Sequence, residues 1–194
     1  MNLTLNSMDA ANTWEAKNTR IKVDNGRILL SSVPEYGDLS QLFNRSAGHM
    51  LTALGVLFWA EYKENEDLLY LKRFFYHFLI ARQLNDDAHD WWDDLSNGRL
   101  TVTVASMLTR WRRPGIDLKR DHELLSQLYW DKEVPKIAGL ISYHASKGRE
   151  ALEAMSQLVD GEELMQWLRR LEHSAEQALR GRNEAHAFIR AFNG

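Results

Sequence analysis

Apolar residues recur at steps of three and four along most of this chain, the period of an amphipathic α-helix. The pattern begins at Asp38, and Asn97-Gly98 and Pro114-Gly115 interrupt it with stop and loop signals. It therefore predicts an all-α fold. The predicted helical stretches are 38–62, 67–96, 101–111, a stretch from about 120 that Pro135 starts anew or kinks, and 162–192.

The first 36 residues follow a different pattern. Polar and apolar residues alternate over Arg20–Val23 and over Arg27–Leu30, and Asp24-Asn25-Gly26 lies between the two runs. Such alternation around an Asn-Gly pair predicts a short β-hairpin. We therefore divide the chain into an N-terminal extension, residues 1–36, and a helical domain, residues 37–194.

Composition narrows the function classes. The 194 residues include no cysteine, which excludes a disulfide framework and a thiolate metal site. The net charge of -3 gives no indication of a nucleic-acid partner. The apolar runs Leu51–Ala60 and Phe74–Ile80 are shorter than the ~20 residues that span a bilayer. No signal peptide is evident, so we expect a cytoplasmic protein without a transmembrane segment.

The most informative segment is acidic and runs from residue 81 to residue 95. On a helical wheel of ~100° per residue, its acidic residues and Gln83 share one arc, opposite an apolar arc. We expect Asp86, Asp87, Asp90 and Gln83 to point into a shared concavity, close to Arg45 and Arg99. The acidic residues on that arc are Asp86, Asp87, Asp90 and Asp94.

An acidic arc of this kind is costly as a plain solvated face. Asp86 and Asp90 form an i,i+4 pair of like charges, as do Asp90 and Asp94, and no basic residue stands between Arg82 and Arg99. A hard divalent cation removes this repulsion, and Mg²⁺ accepts one or two carboxylates together with phosphate oxygens. The acidic arc is therefore either a Mg²⁺ site or an ordinary solvent-exposed helix face.

The motif Asp86-Asp87-x-x-Asp90 resembles the second aspartate-rich motif of the class I isoprenoid synthases. In that family a Gln lies three residues before the Asp pair, as Gln83 does here, and a Gly followed by a basic residue comes after, as in Gly98-Arg99. Arg45-Ser46 stands where the family carries a Lys-Thr pair on an earlier helix. The resemblance covers about residues 39–101.

The resemblance implies a partial helical bundle of the isoprenoid synthase type and binding of a prenyl diphosphate or pyrophosphate through Mg²⁺. The allylic diphosphate would be ionised for prenyl transfer or cyclisation. The implied substrate-binding residues are Arg45, Ser46, Gln83 and Arg99. The implied metal-binding residues are Asp86, Asp87 and Asp90, supported by Asp94.

One feature of the family is missing, because the chain holds no second Asp-Asp-x-x-Asp. The chain therefore resembles the C-terminal portion of such an enzyme, which implies a homo-oligomer or a second chain that supplies the first motif. An incomplete bundle should expose apolar side chains of the Leu51–Ala60 helix and the Leu68–Ile80 run.

Two other functions remain open. A non-catalytic helical partner subunit would have the same half-bundle. An HD-type metal phosphohydrolase would use a His…His-Asp…Asp set, for which the chain offers His49 or His77, then His89-Asp90, then Asp160.

Overall fold

The computed structural model describes residues 2–61, 66–156 and 161–192, and the protein is predominantly helical, as predicted. In these ranges no helix is long and apolar enough to cross a membrane. The helices are α1 (Asn2–Asn18), α2 (Ser40–Ser46), α3 (Leu51–Glu61), α4 (Glu66–His89), α5 (Trp91–Ser96), α6 (Val102–Leu108), α7 (His122–Leu128), α8 (Val134–Glu153) and α9 (Glu162–Phe192), with a 3-10 turn at Ala47–Met50 and a π-helical segment at Tyr129–Glu133.

The predicted hairpin is confirmed and belongs to a three-stranded antiparallel sheet. Its strands are β1 (Val23–Asp24) and β2 (Arg27–Leu29), and β2 also pairs with β3 (Gly115–Asp117). The two turn residues between β1 and β2 have φ angles of 48° and 74°, the conformation for which Asn-Gly is suited. The strand β3 was not predicted, and it joins the hairpin to the helical part of the chain.

The helix α1 was also not predicted. Its packing surface is one narrow stripe of buried and half-buried side chains, formed by Met8, Ala11, Trp14 and Glu15. Most of its other described residues are exposed. Trp14 packs edge-on against Tyr36, with ring centroids 5.2 Å apart. The helix therefore packs on the helical domain and is part of the same folded unit.

The long helix α4 forms the centre of the bundle. It packs along α8, and α8 packs in turn against α9. We expected the apolar residues of the Leu68–Ile80 run to be exposed, and this was wrong for most of them because α8 and α9 cover them. Leu69, which is 55% exposed, is an exception, and the side chains of residues 57–61 lie outside the description. The buried residues of the run include Leu68, Leu71, Phe74, Phe75, Leu79 and Ile80.

Two buried histidines join α4 to α8. The Nδ1 atoms of His77 and His144 lie 2.9 Å apart, so one ring donates its N–H to the lone pair of the other. Burial lowers the pKa of His77 to about 4, with a further contribution from His144, and burial also lowers the pKa of His144. The pair is therefore neutral near pH 7 and acts as a polar link inside an apolar interface.

The helix that we predicted to run to residue 96 breaks at Asp90, whose φ and ψ angles are -97° and 9°. The hydroxyl of Tyr129 donates to the carbonyl of Ala88 at 2.8 Å, and the ring of Tyr129 stacks on Trp91 at 4.9 Å. In a continuous helix the Ala88 carbonyl would accept the amide of residue 92. A side chain from the π-helical segment therefore ends α4.

The predicted stop at Gly98 is confirmed. Gly98 has a φ angle of 68°, and its carbonyl accepts the amide of Ile21 at 3.0 Å. The amide of Leu100 donates to the carbonyl of Thr19 at 2.8 Å. Residues 19–21 and 98–100 thus form a short ladder, and a Cβ atom on Gly98 would lie 2.2 Å from the Ile21 oxygen.

Replacement of Gly98 by alanine should destabilise the protein strongly, because the left-handed conformation and the close approach of Ile21 both exclude a side chain. We expect Gly98→Ala to lower the free energy of unfolding by roughly 2–4 kcal/mol in urea titrations. The control is Gly139→Ala on α8, where a Cβ atom meets nothing within 4 Å. That variant should gain up to ~1 kcal/mol. Equal effects of the two substitutions would contradict this account of Gly98.

Candidate functional site

The acidic arc divides into a buried pair and an exposed pair. Asp87 and Asp94 are only 4% and 5% exposed, whereas Asp86 and Asp90 are exposed to solvent. The expectation that Asp86, Asp87 and Asp90 point together into one concavity was therefore wrong. The break at Asp90 and the packing of other segments over Asp87 are the physical reasons, since a single continuous helical wheel takes account of neither.

Asp87 is the most deeply placed of these carboxylates. Its Oδ1 accepts from Nε2 of Gln83 at 2.7 Å, and its Oδ2 accepts from the amide of Val102 at 3.2 Å. Burial raises the pKa of Asp87 to about 6, against the opposing effects of the Gln83 hydrogen bond and the Arg45 charge. Gln83 thus holds the carboxylate of Asp87 in place, and its implied substrate-binding role stays a prediction.

Arg45 comes from α2, at the point where the 3-10 turn begins, and its charge acts on Asp87. Its Nη1 forms an ion pair with Oε1 of Glu15 on α1 at 2.9 Å, and both side chains are about one-third exposed. Ser46 is half-buried next to it, and within the described part of the chain it takes no part in the hydrogen bonds of Asp87.

Tyr36 and Glu15 belong to the same group of interacting side chains as Asp87 and Arg45. The sequence analysis identified neither of them. The Tyr36 hydroxyl donates to the carbonyl of Leu100 at 2.7 Å. Burial raises the pKa of Tyr36, and the negative charges of Asp87 and Glu15 raise it further. A lone tyrosine and a lone glutamate in a segment without a predicted helix carry no pattern that would have identified them.

Asp94 is the buried carboxylate of α5, at the edge of this group of side chains. Arg99 donates from Nη2 to its Oδ1 at 2.8 Å, and Arg99 is 44% exposed. Burial raises the pKa of Asp94, and the Arg99 charge opposes this rise. The buried Thr101 hydroxyl makes no hydrogen bond within the described residues, yet it lies near enough to Asp94 to oppose the same rise. Arg99 and Asp94 therefore neutralise each other at the edge of the cluster.

The exposed pair has weaker contacts. Asp86 lies 3.9 Å from Nε of Arg82, and both side chains are about half exposed. In residues 2–61, 66–156 and 161–192, no three His, Asp or Glu side chains gather as a ready-made metal site. The donor set is nonetheless one of carboxylate oxygens, and Mg²⁺ takes one or two of these and completes its shell with water and phosphate. The residues therefore fit Mg²⁺ by their chemistry.

Among the described residues, neither His49 nor His77 joins His89 and Asp90 in the set that a metal phosphohydrolase would need. His77 binds His144, while the Nδ1 of His89 contacts the carbonyl of Asn85 on its own helix at 2.7 Å. Twelve residues separate His77 from His89 on α4, which is ~18 Å along the axis. The two rings are thus too far apart for one metal ion, and Asp160 lies outside the described residues.

No family model, no curated protein and no solved structure matches this chain. The resemblance to the isoprenoid synthases therefore rests on the motif residues alone and stays a prediction.

The raised pKa of Asp87 predicts a pH-dependent contribution to stability. Between pH 3.8 and about 6 the native carboxyl holds a proton that the unfolded chain has lost. The free energy of unfolding should therefore fall as pH rises through this window, by at most ~3 kcal/mol. The variant Asp87→Asn has no carboxyl group at this position, so its free energy of unfolding should not fall in this way. Relative to wild type, its free energy of unfolding should therefore rise from pH 4 to pH 7 in denaturant titrations.

The matched comparison is Asp86→Asn, which removes a charge from the exposed side of the same helix. A difference between wild type and Asp87→Asn that stays constant over this pH range would contradict the assigned burial of Asp87.

Proposed function

We propose that this chain binds a prenyl diphosphate through Mg²⁺ and acts as the C-terminal half of an isoprenoid synthase-type bundle, in which the diphosphate is ionised for prenyl transfer or cyclisation. One observation carries the proposal. Arg45 and Asp87 come from helices that are far apart in sequence, yet they lie within electrostatic reach of each other, beside Gln83. The proximity of these three motif residues supports the proposal.

The exposed pair Asp86 and Asp90 is the part of the arc that we assign to the cation. The two residues are one helical turn apart, and the Asp90 amide still donates to the Asp86 carbonyl at 3.0 Å. When bound, Mg²⁺ would supply positive charge against the leaving diphosphate. Asp94 lies close enough to Asp90 for their charges to interact, so it supports the same cation from the buried side.

The two arginines are the diphosphate-binding groups of the proposal. Each is held by a carboxylate of the chain, Arg45 by Glu15 and Arg99 by Asp94, and each guanidinium remains partly exposed. A diphosphate offers the same kind of oxygen pair, and the guanidinium fork binds such pairs with two hydrogen bonds. Binding would exchange one anionic partner for another, with Ser46 adding a hydroxyl donor beside Arg45.

Asp87 has a positioning role in this scheme. It is too deeply buried to meet a hydrated cation, and its hydrogen bonds to Gln83 and the Val102 amide tie α4 to the start of α6. Together with Arg45 it sets where the diphosphate-facing edge of α4 lies.

A non-catalytic partner subunit is the second candidate. The observation that favours it is internal compensation, because Asp87 and Asp94 both have partners within the chain. In that case the cluster serves only to hold the bundle together. If the chain is catalytic, ionisation of the diphosphate would require another copy or another chain, because this sequence holds no second aspartate-rich motif.

Metal-linked stabilisation tests the proposal. With millimolar Mg²⁺ and pyrophosphate, the wild-type melting temperature should rise by several degrees, since a ligand at 100 times its dissociation constant adds ~2.7 kcal/mol. The double variant Asp86→Asn/Asp90→Asn should melt higher than wild type without ligand, because like-charge repulsion is removed. It should lose the ligand-induced shift.

The control is Asp93→Asn, which removes an exposed charge from α5 and should keep the shift. A wild-type protein that does not respond to Mg²⁺ and pyrophosphate, either alone or mixed with a chain carrying the first motif, would favour the non-catalytic partner subunit.

A further inference from the structure

A wide groove on the described surface lies between the end of α1, the outer face of the hairpin and the segment that follows it. Its volume is about 1140 Å³. The charged residues that line it are Lys17, Arg20, Lys22, Asp24 and Arg27. Four cations against one anion stand out on a chain whose net charge is -3.

Strand geometry explains why the cations share one face. Side chains alternate between the two faces of a strand, so Arg20 and Lys22 point outward while Ile21 and Val23 pack against the core. On β2 the buried residue is Ile28, and Arg27 and Leu29 point outward. The positive face is therefore a fixed consequence of the register between β1 and β2.

These cations have little compensation within the chain. In the described ranges no carboxylate lies within ion-pair distance of Arg20 or Lys22, whereas Arg27 stands between its cross-strand neighbours Asp24 and Asp117 and contacts Asp117 at 3.6 Å. Lys17 lies in the last turn of α1, where the helix dipole favours a cation, so the argument rests on Arg20 and Lys22. Like charges gathered around one groove repel each other and favour an anion between them.

The groove also has an apolar component. Leu29 is 81% exposed, the highest value among the large apolar side chains described. Continuing the Val23–Ile28 register by one residue places it beside Lys22. Val33 and Pro34 extend the apolar wall. A ligand for this surface combines negative charge with an apolar portion.

We propose that this groove is a second anion site, which binds a phosphate group attached to an apolar chain without a metal ion. Arg20, Lys22 and Arg27 bind the phosphate, and Leu29 with its neighbours contacts the apolar portion. Such a group is found both in free prenyl or alkyl phosphates and in anionic lipid headgroups. The site shares no side chain with the acidic arc, so it does not depend on the function proposed above.

The test uses decyl phosphate below its micelle concentration, and separately vesicles of phosphatidylcholine with and without phosphatidic acid, all in EDTA so that Mg²⁺ plays no part. We expect the wild-type chain to bind, and Arg20→Gln/Lys22→Gln to bind at least ~10-fold more weakly. The control Arg170→Gln/Arg180→Gln removes two exposed cations from α9 and should bind as wild type does. Leu29→Asn should weaken binding of decyl phosphate but not of inorganic phosphate.

The two arms identify the source of the ligand. Groove-dependent binding of decyl phosphate alone assigns the site to a free amphiphile, and groove-dependent binding of phosphatidic acid vesicles alone assigns it to a lipid headgroup. The proposal is overturned if the wild-type chain binds neither decyl phosphate nor the phosphatidic acid vesicles. It is also overturned if the two double variants lose binding equally. Unchanged melting temperatures would show that the exposed substitutions leave the fold intact.

Discussion

Burying the carboxylate of Asp87 at the end of α4 carries a free-energy cost that neighbouring segments have to offset. Gln83 and the Val102 amide donate to it, and Arg45 supplies opposite charge from α2. Tyr36 fills the adjacent space and binds the chain after α5 through its hydroxyl. The buried carboxylate thus determines where α2, the start of α6 and the segment around Tyr36 meet. The helix α1 packs at the same place, because its Glu15 forms an ion pair with Arg45. The architecture around α4 depends on keeping this group satisfied.

How much of this could be predicted from the sequence depends on whether the cause is local. The hairpin, the stop at Gly98 and the bounds of α9 follow from neighbouring residues, and the structure agrees with them. The break at Asp90 depends on Tyr129, which is distant in sequence, and β3 forms only because β2 offers it an edge. Helical periodicity carries no information about either contact. The helix α1 was missed because its stripe of packing residues is narrow and its surface is largely polar.

The candidate site shows the same division. Motif spacing identified Arg45, Gln83 and Asp87, and the structure places them together. The spacing could not show that Asp87 and Asp94 are buried while Asp86 and Asp90 face solvent, because burial is decided by which segments pack over the helix. Motif spacing also did not indicate Glu15, whose carboxylate forms an ion pair with Arg45. Our proposal that Mg²⁺ binds the exposed pair uses their solvent accessibility, a property that the helical wheel does not contain.

The acidic arc and the basic groove meet at one short ladder. Arg20 pairs through its backbone with Arg99, whose side chain binds Asp94, while the side chain of Arg20 lines the basic groove. Because Arg20 and Arg99 are partners in an antiparallel bridge, their side chains leave the ladder on the same face, and the Asp94 carboxylate binds only Arg99 of the two. Gly98 keeps the two backbone segments in contact, so a side chain at this position would displace both Ile21 and its neighbours in the groove and Arg99 at the acidic arc. The placement of both charged surfaces therefore depends on a residue that carries no charge itself.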